Sequence, residues 1–97
     1  MDFSFEVNGN QSVLRLREDG HEEGAELGWL QYREEETYLV IEHVEVDPAH
    51  RGRGLARKLV DRFAEHVRSV EGRVVSECGV ARAMMVGYAR YADVFVG

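Results

Sequence analysis

The segment from Tyr38 to Cys78 constrains this chain most, because it reads as strand, glycine-bearing loop, amphipathic helix and strand in succession. Tyr38 to Val46 is β-branched and apolar except for Glu42, His43 and Glu45. Asp47-Pro48 stops it, since proline lacks an amide donor and restricts the residue before it. Beyond the loop, Leu55, Ala56, Leu59, Val60, Phe63, Val67 and Val70 recur at helical spacing, and charged residues occupy the opposite face. Gly72 is expected to terminate the helix, and Arg73-Val74-Val75-Ser76-Glu77-Cys78 to form the next strand. Two strands joined by one such helix lie parallel in one sheet, with a right-handed crossover between them.

The residues before this unit read as strands. Phe3, Phe5 and Val7 alternate with polar residues, Asn8-Gly9-Asn10 gives a hairpin signal, and Val13-Leu14-Arg15-Leu16-Arg17 follows. Glu18 to Gly24 reads as a turn, and Ala25 to Tyr32 as a third strand ending at the acidic turn Glu34-Glu35-Glu36. Val80 to about Tyr88 reads as a second, shorter helix. The order is ββββαβα, a mixed α/β (α+β) sheet in which an antiparallel meander precedes the parallel crossover. With 97 residues there is material for one core, so a single domain over 1–97 is expected. No repeat, linker, basic leader or long apolar run interrupts it, so no membrane is called for and a cytosolic chain is expected. Cys78 is the only cysteine, which excludes an internal disulfide. Histidines 21, 50 and 66 show no metal spacing, and none is expected to hold a metal. The formal charge of -6 argues against general nucleic-acid binding. Exposed strand edges allow a monomer or a weak homodimer.

Against that net charge, His50 to Lys58 holds Arg51, Arg53, Arg57 and Lys58 and no acid. Glycines 52 and 54 permit a tight turn with backbone close to a ligand, and the helix that follows presents unpaired amides at its positive end. The combination predicts an anion site of the phosphate-binding kind. A Gly-x-x-x-x-Gly-Lys-Ser/Thr loop is absent, and Gly52-x-Gly54 lacks the third glycine of the dinucleotide fingerprint.

Arg51-Gly52-Arg53-Gly54-Leu55-Ala56, preceded by Val46-Asp47-Pro48, resembles the Gln/Arg-x-x-Gly-x-Gly/Ala signature of the Gcn5-related N-acetyltransferases. The resemblance implies that acetyl-coenzyme A is the cofactor. Backbone around Arg51, Gly52, Arg53, Gly54, Leu55, Ala56 and Arg57 would hold its pyrophosphate, and the fourth strand near Val44 and Val46 its pantetheine arm. Most of the chain also resembles a subfamily of short acetyltransferase-like proteins, through Ile41-Glu42-His43-Val44-Glu45-Val46, the glycine loop, and Cys78 at the end of the fifth strand. It departs from the subfamily wording at Val44 (usually threonine), Ser76 (usually proline) and Gly79-Val80 after the cysteine. Full-length relatives begin with helices that help form the acceptor site, and no equivalent is expected before the second strand here.

Acetyl transfer to an amine needs a base, a donor for the developing oxyanion and an acid for the leaving thiolate. His43 and Glu45, two apart on a strand, are expected on one face with Glu42 on the other. Either residue suits the base, and the pair also reads as a semi-buried histidine with its hydrogen-bond partner. Cys78 reads as an acetyl acceptor activated by His43, or as a small buried apolar residue. Tyr88 and Tyr91 follow the second helix, where family members often carry a thiolate-protonating tyrosine, and they read equally as packing partners of Phe95. Three functional classes follow: an acetyl-coenzyme A-dependent N-acetyltransferase of unknown acceptor, a coenzyme A-binding module without turnover, and an adaptor binding another anion.

Overall fold

The structure is a computed structural model describing residues 1–9, 11–18 and 25–97, with Asn8 described for its backbone alone. Five strands form one sheet in the order β1 (Asp2–Asn8), β2 (Gln11–Arg17), β3 (Glu26–Glu34), β4 (Leu39–Val46) and β5 (Val74–Ser76). The first three pairings are antiparallel and β4 runs parallel to β5 across α1 (Leu55–Ser69), the mixed sheet expected from the sequence. A second helix, α2 (Gly79–Met85), and a 3-10 turn at Ala89–Tyr91 complete the described elements. No helix among the described residues is long and apolar enough to cross a membrane.

Asn8 pairs with Gln11, so Gly9 and Asn10 connect β1 to β2, within the expected Asn8-Gly9-Asn10 signal. Gly9 adopts φ 62, the left-handed geometry that tight hairpins require, while Asn10 lies outside the described residues. Most of the turn expected from Glu18 to Gly24 also lies outside them, as does His21; the Glu18 amide donates to the Ala25 carbonyl at 3.2 Å across that connection.

The core lies on one face of the sheet. Leu14, Leu16, Leu30, Ile41 and Val44 meet Leu55, Leu59, Phe63, Ala64 and Val67 of α1, all under 9% exposed, and Ala81, Met85, Tyr91 and Val94 join the same cluster. Gly28 permits this close approach of helix and sheet. A Cβ there would sit 2.6 Å from the Glu45 carbonyl oxygen and 3.3 Å from Leu59 Cδ1.

The end of α1 departs from expectation. The Gly72 amide donates to the Val67 carbonyl at 2.9 Å and the Glu71 amide to the Arg68 carbonyl at 3.1 Å, the paired bonds of a Schellman cap. The residue in the left-handed position is Glu71, at φ 55, one place before the glycine. Gly72 is required by packing instead, since a Cβ there would lie 2.9 Å from Leu39 Cδ1.

The opposite face presents Ser4, Glu6, Arg15, Arg17, Trp29 and Arg33, and no described helix lies over it. Glu6 bonds Arg15 at 3.2 Å, and Arg15 also reaches Glu26, so neighbouring strands are tied by charge where they are not tied by core. Val13 and Val40, both buried, lie outside the core cluster, as the pairing of Val13 with Gln31 and of Val40 with Arg33 requires.

Candidate active site

The glycine loop connects β4 to α1 through a 3-10 turn at Pro48–His50, in which the Asp47 carboxylate accepts from the Ala49 amide at 2.8 Å. Gly52 and Gly54 then take φ 84 and φ 72, a region costly for any other residue. A Cβ on either would meet no atom within 4 Å. A side chain is therefore disfavoured at both positions by backbone geometry and not by crowding, and the space beside them is open.

The helix start carries no side-chain cap, and its first backbone bond is Lys58 to Gly54 at 3.1 Å. The amides of Leu55, Ala56 and Arg57 are thus the orphan donors of the positive end. Leu55 is buried and Ala56 half-buried, which anchors the first turn in the core.

The four cations of this stretch divide. Arg51, 63% exposed, lies 3.9 Å from Glu45, and Arg53 Nη1 lies 2.9 Å from His50 Nδ1. Both remain at the loop. Arg57 turns away from it, donating to the Met84 carbonyl at 3.1 Å and to the Tyr91 hydroxyl at 3.0 Å, with its guanidinium 4.9 Å from the Tyr88 ring centroid. Lys58 lines a separate surface hollow with Met1, Phe3 and Asp61. Only the backbone of Arg57 is therefore available to an anion at the loop.

β4 is the other half of the site. It pairs with β5 only from Leu39 to Ile41, and the last bond on that side runs from the Glu77 amide to the Ile41 carbonyl at 2.8 Å. Beyond it the two strands fork. On the other side β4 stays with β3, but a bulge separates Gln31↔His43 from Tyr32↔Ile41. This extra residue corrects the simple alternation expected from sequence. Glu42 accepts from Gln31 Nε2 at 3.2 Å and Arg33 Nη1 at 3.1 Å, so it shares the open face with His43 and Glu45.

His43 Nε2 lies 3.6 Å from Glu45 Oε1, with side chains 52% and 40% exposed, and the imidazole centroid is 6.4 Å from Trp29. Glu45 therefore stands between His43 and Arg51. Val44 is buried in the core and Val46 half-buried against it, while their backbone runs along the fork.

Cys78 lies two residues beyond β5. It does not close β5, which ends at Ser76, but occupies the N-cap of α2, because the chain has already left the sheet. It is 8% exposed and part of the helix-side core, and Ser76 Oγ donates to its carbonyl at 2.8 Å. No described hydrogen bond or ion pair joins it to His43, which lies on the open face. Tyr91 is likewise buried, its hydroxyl donating to Asp61 Oδ1 at 2.5 Å while accepting from Arg57. Tyr88 is half exposed.

The arrangement offers backbone donors for a diphosphate, a strand edge along which an amide-bearing chain can extend, and a solvent-accessible imidazole–carboxylate pair able to take a proton. Arg33 and Glu77 bond one another beside the fork, a link between a β3 residue and one that follows β5 which no local pattern announces. A search of curated protein sequences finds no match. A family model described as GCN5-related N-acetyl-transferase matches residues 15–94. A GCN5-like protein of Staphylococcus aureus superposes with a TM-score of 0.71 at 25% identity, covering 97% of this chain and 88% of that one. A ribosomal-protein-alanine N-acetyltransferase of Brucella melitensis superposes at 0.65 with 20% identity, covering 77% and 57%. Tetrahymena GCN5 gives 0.63 at 12% identity, covering 84% of this chain and 49% of that one, so the present chain spans about half its length. With most of its length inside that family model, and with the forked sheet and glycine loop in place, the chain belongs to the GCN5-related N-acetyltransferase family.

Proposed function

We propose that this protein is an acetyl-coenzyme A-dependent N-acetyltransferase whose acceptor amine approaches from the open face of the sheet. The observation that carries the reading is the loop: two left-handed glycines with free space beside them lead into an uncapped helix start, directly after the strand at the fork. The amides from Gly52 to Arg57 would hold the pyrophosphate, with Arg51 and Arg53 supplying charge. The cofactor supplies the acetyl thioester. The chain's own contribution is to orient that group at the fork and to accept the ammonium proton of the acceptor at the His43–Glu45 pair.

A covalent route through Cys78 is a second reading, favoured by its place one residue after Glu77, whose amide bonds β4 at the fork. There the thiolate sulfur would bond to the acetyl carbon as coenzyme A departs as a thiol, and the amine would then displace the cysteine. Burial of Cys78 away from His43 favours direct transfer. The same reading places the chain in the cytosol, as one domain and as a monomer or weak homodimer, without metal, nucleic acid or membrane.

Calorimetry with coenzyme A and thiol release across an amine panel test it together. Submicromolar to micromolar binding with amine-dependent release is expected. Binding without release on any amine would make this a cofactor-binding module, and absence of binding would sink both. Intact mass after incubation with acetyl-coenzyme A, wild type against Cys78→Ala, decides the route: no added acetyl on the wild type removes the covalent one.

A further inference from the structure

We infer that Arg33 is a positioning residue of the fork, a guanidinium clamp that holds the diverging ends of β4 and β5 in register; its catalytic consequence rests on the acetyltransferase reading above. Arg33 stands on β3 opposite Val40 and reaches across β4. Its Nη1 and Nη2 donate to the two carboxylate oxygens of Glu77, each at 2.9 Å, which is the bidentate fork geometry that fixes orientation as well as distance. The same Nη1 donates to Glu42 at 3.1 Å and Nε to Glu35 at 2.7 Å.

The two main acceptors sit at informative places. Glu77 is the last residue of the β5 side to bond β4, and Cys78 follows it. Glu42 is the extra residue of the bulge, and His43 follows it. The clamp therefore grips each branch one residue before its candidate chemical group, at the point where backbone pairing ends. No described helix lies over this face, so the branches are held there by side chains of the sheet itself. The guanidinium also holds the Glu77 carboxyl below its usual range, chiefly through their hydrogen bond. A point-charge cation could satisfy one carboxylate but not reproduce a planar fork on Glu77 with a third bond to Glu42.

The test compares wild type with Arg33→Lys, Arg33→Met and Glu77→Gln. Circular dichroism and melting establish that each variant is folded. Opening of the fork is read by amide exchange at Glu77 and by alkylation of Cys78 with iodoacetamide, neither of which needs turnover. We expect exchange and alkylation to rise about tenfold in all three variants. The Arg33→Lys, Glu77→Gln double variant should be no worse than Arg33→Lys alone, because Glu77 acts through that guanidinium. Where amine acetylation is measurable, kcat should fall about tenfold or more while KM for acetyl-coenzyme A rises by less, because the opened fork takes only the pantetheine arm and the glycine loop is untouched. Wild-type exchange and alkylation rates in folded Arg33→Lys would overturn the clamp. An unchanged kcat despite an opened fork would overturn its positioning role. Failure of the wild type to acetylate any amine would sink the acetyltransferase reading and the positioning role with it, while exchange and alkylation would still decide the clamp.

Discussion

Exchanging the side chains at the end of α1 should move stability in opposite directions at adjacent positions. Glu71 holds φ 55 in the Schellman cap, a conformation that costs an L-residue roughly 1–2 kcal/mol relative to glycine. Glu71→Gly removes that strain but adds backbone freedom to the unfolded chain, worth about 0.4–1 kcal/mol the other way. The net expectation is a gain of about 0.5–1 kcal/mol, or roughly 2–8 °C in melting temperature for a chain this size. Both cap bonds are formed by backbone amides and survive the change. Gly72→Ala should do the reverse. Its Cβ would meet Leu39 Cδ1 at 2.9 Å and Val67 Cγ1 at 3.3 Å, and both neighbours are buried core residues with little room to move. Overpacking of that kind costs about 1–3 kcal/mol. Thermal melts by circular dichroism, with urea denaturation to confirm that the m-value is unchanged, separate the two. A melting temperature that falls in Glu71→Gly or rises in Gly72→Ala would refute the assignment of strain to position 71 and packing to position 72.

Three further outcomes follow from the site. Gly54→Ala should lose about 0.5–1.5 kcal/mol of stability and much of its coenzyme A affinity, whereas Gly54→Asn, which tolerates the left-handed region, should regain stability without regaining affinity; calorimetry paired with melts reads both. Tyr91→Phe leaves Asp61 and Arg57 without their shared hydroxyl and should cost about 1–3 kcal/mol by urea denaturation, with no loss meaning that the bridge is idle. Arg68 holds the Asp93 carboxyl below its ordinary 3.8 chiefly through their hydrogen bond. A depressed folded pKa stabilises above the ordinary value and is lost as pH falls through the lowered one, so Arg68→Met should flatten the wild-type loss of stability below about pH 3.8. A parallel pair of curves there would show that the ion pair contributes nothing.

The linear pattern located what rests on periodicity and on backbone chemistry. The helical spacing of Leu55, Leu59, Phe63 and Val67 became the buried face of α1, and the two loop glycines took the positive φ that made them informative. His43 and Glu45 share a face because a period of two survives on the far side of the bulge. Glu42 does not obey that period, since one inserted residue reverses the side to which every residue before it points. Bulges leave no composition signal that alternation alone can read. Cys78 lies two residues beyond β5 for a related reason: the strand character of Val74-Val75-Ser76 runs on into Glu77 and Cys78, but pairing with β4 lasts three residues and the chain turns into α2.

The forked strand gives the physical reason why sequence and site part company there. A backbone donor or acceptor in this region needs a partner, and β4 finds one on the β3 side along its length while its β5 side is paired only as far as Ile41. A regular sheet would continue the ladder and leave no place for a ligand. Here the bulge at Glu42 and the exit of the chain after Ser76 end it at one level, and Arg33 bridges that level through side chains. On the proposed reading, the backbone edge near Val44 and Val46 takes something other than a strand, just ahead in the chain of the loop that presents the α1 amides. On the proposed reading, an amide-bearing arm ending in a diphosphate would satisfy both demands at once, whereas a free anion would satisfy only the loop. Extended ligands should therefore bind more tightly than pyrophosphate alone by more than the loop accounts for, and equal affinity of pyrophosphate and coenzyme A would show that the fork takes no part in binding.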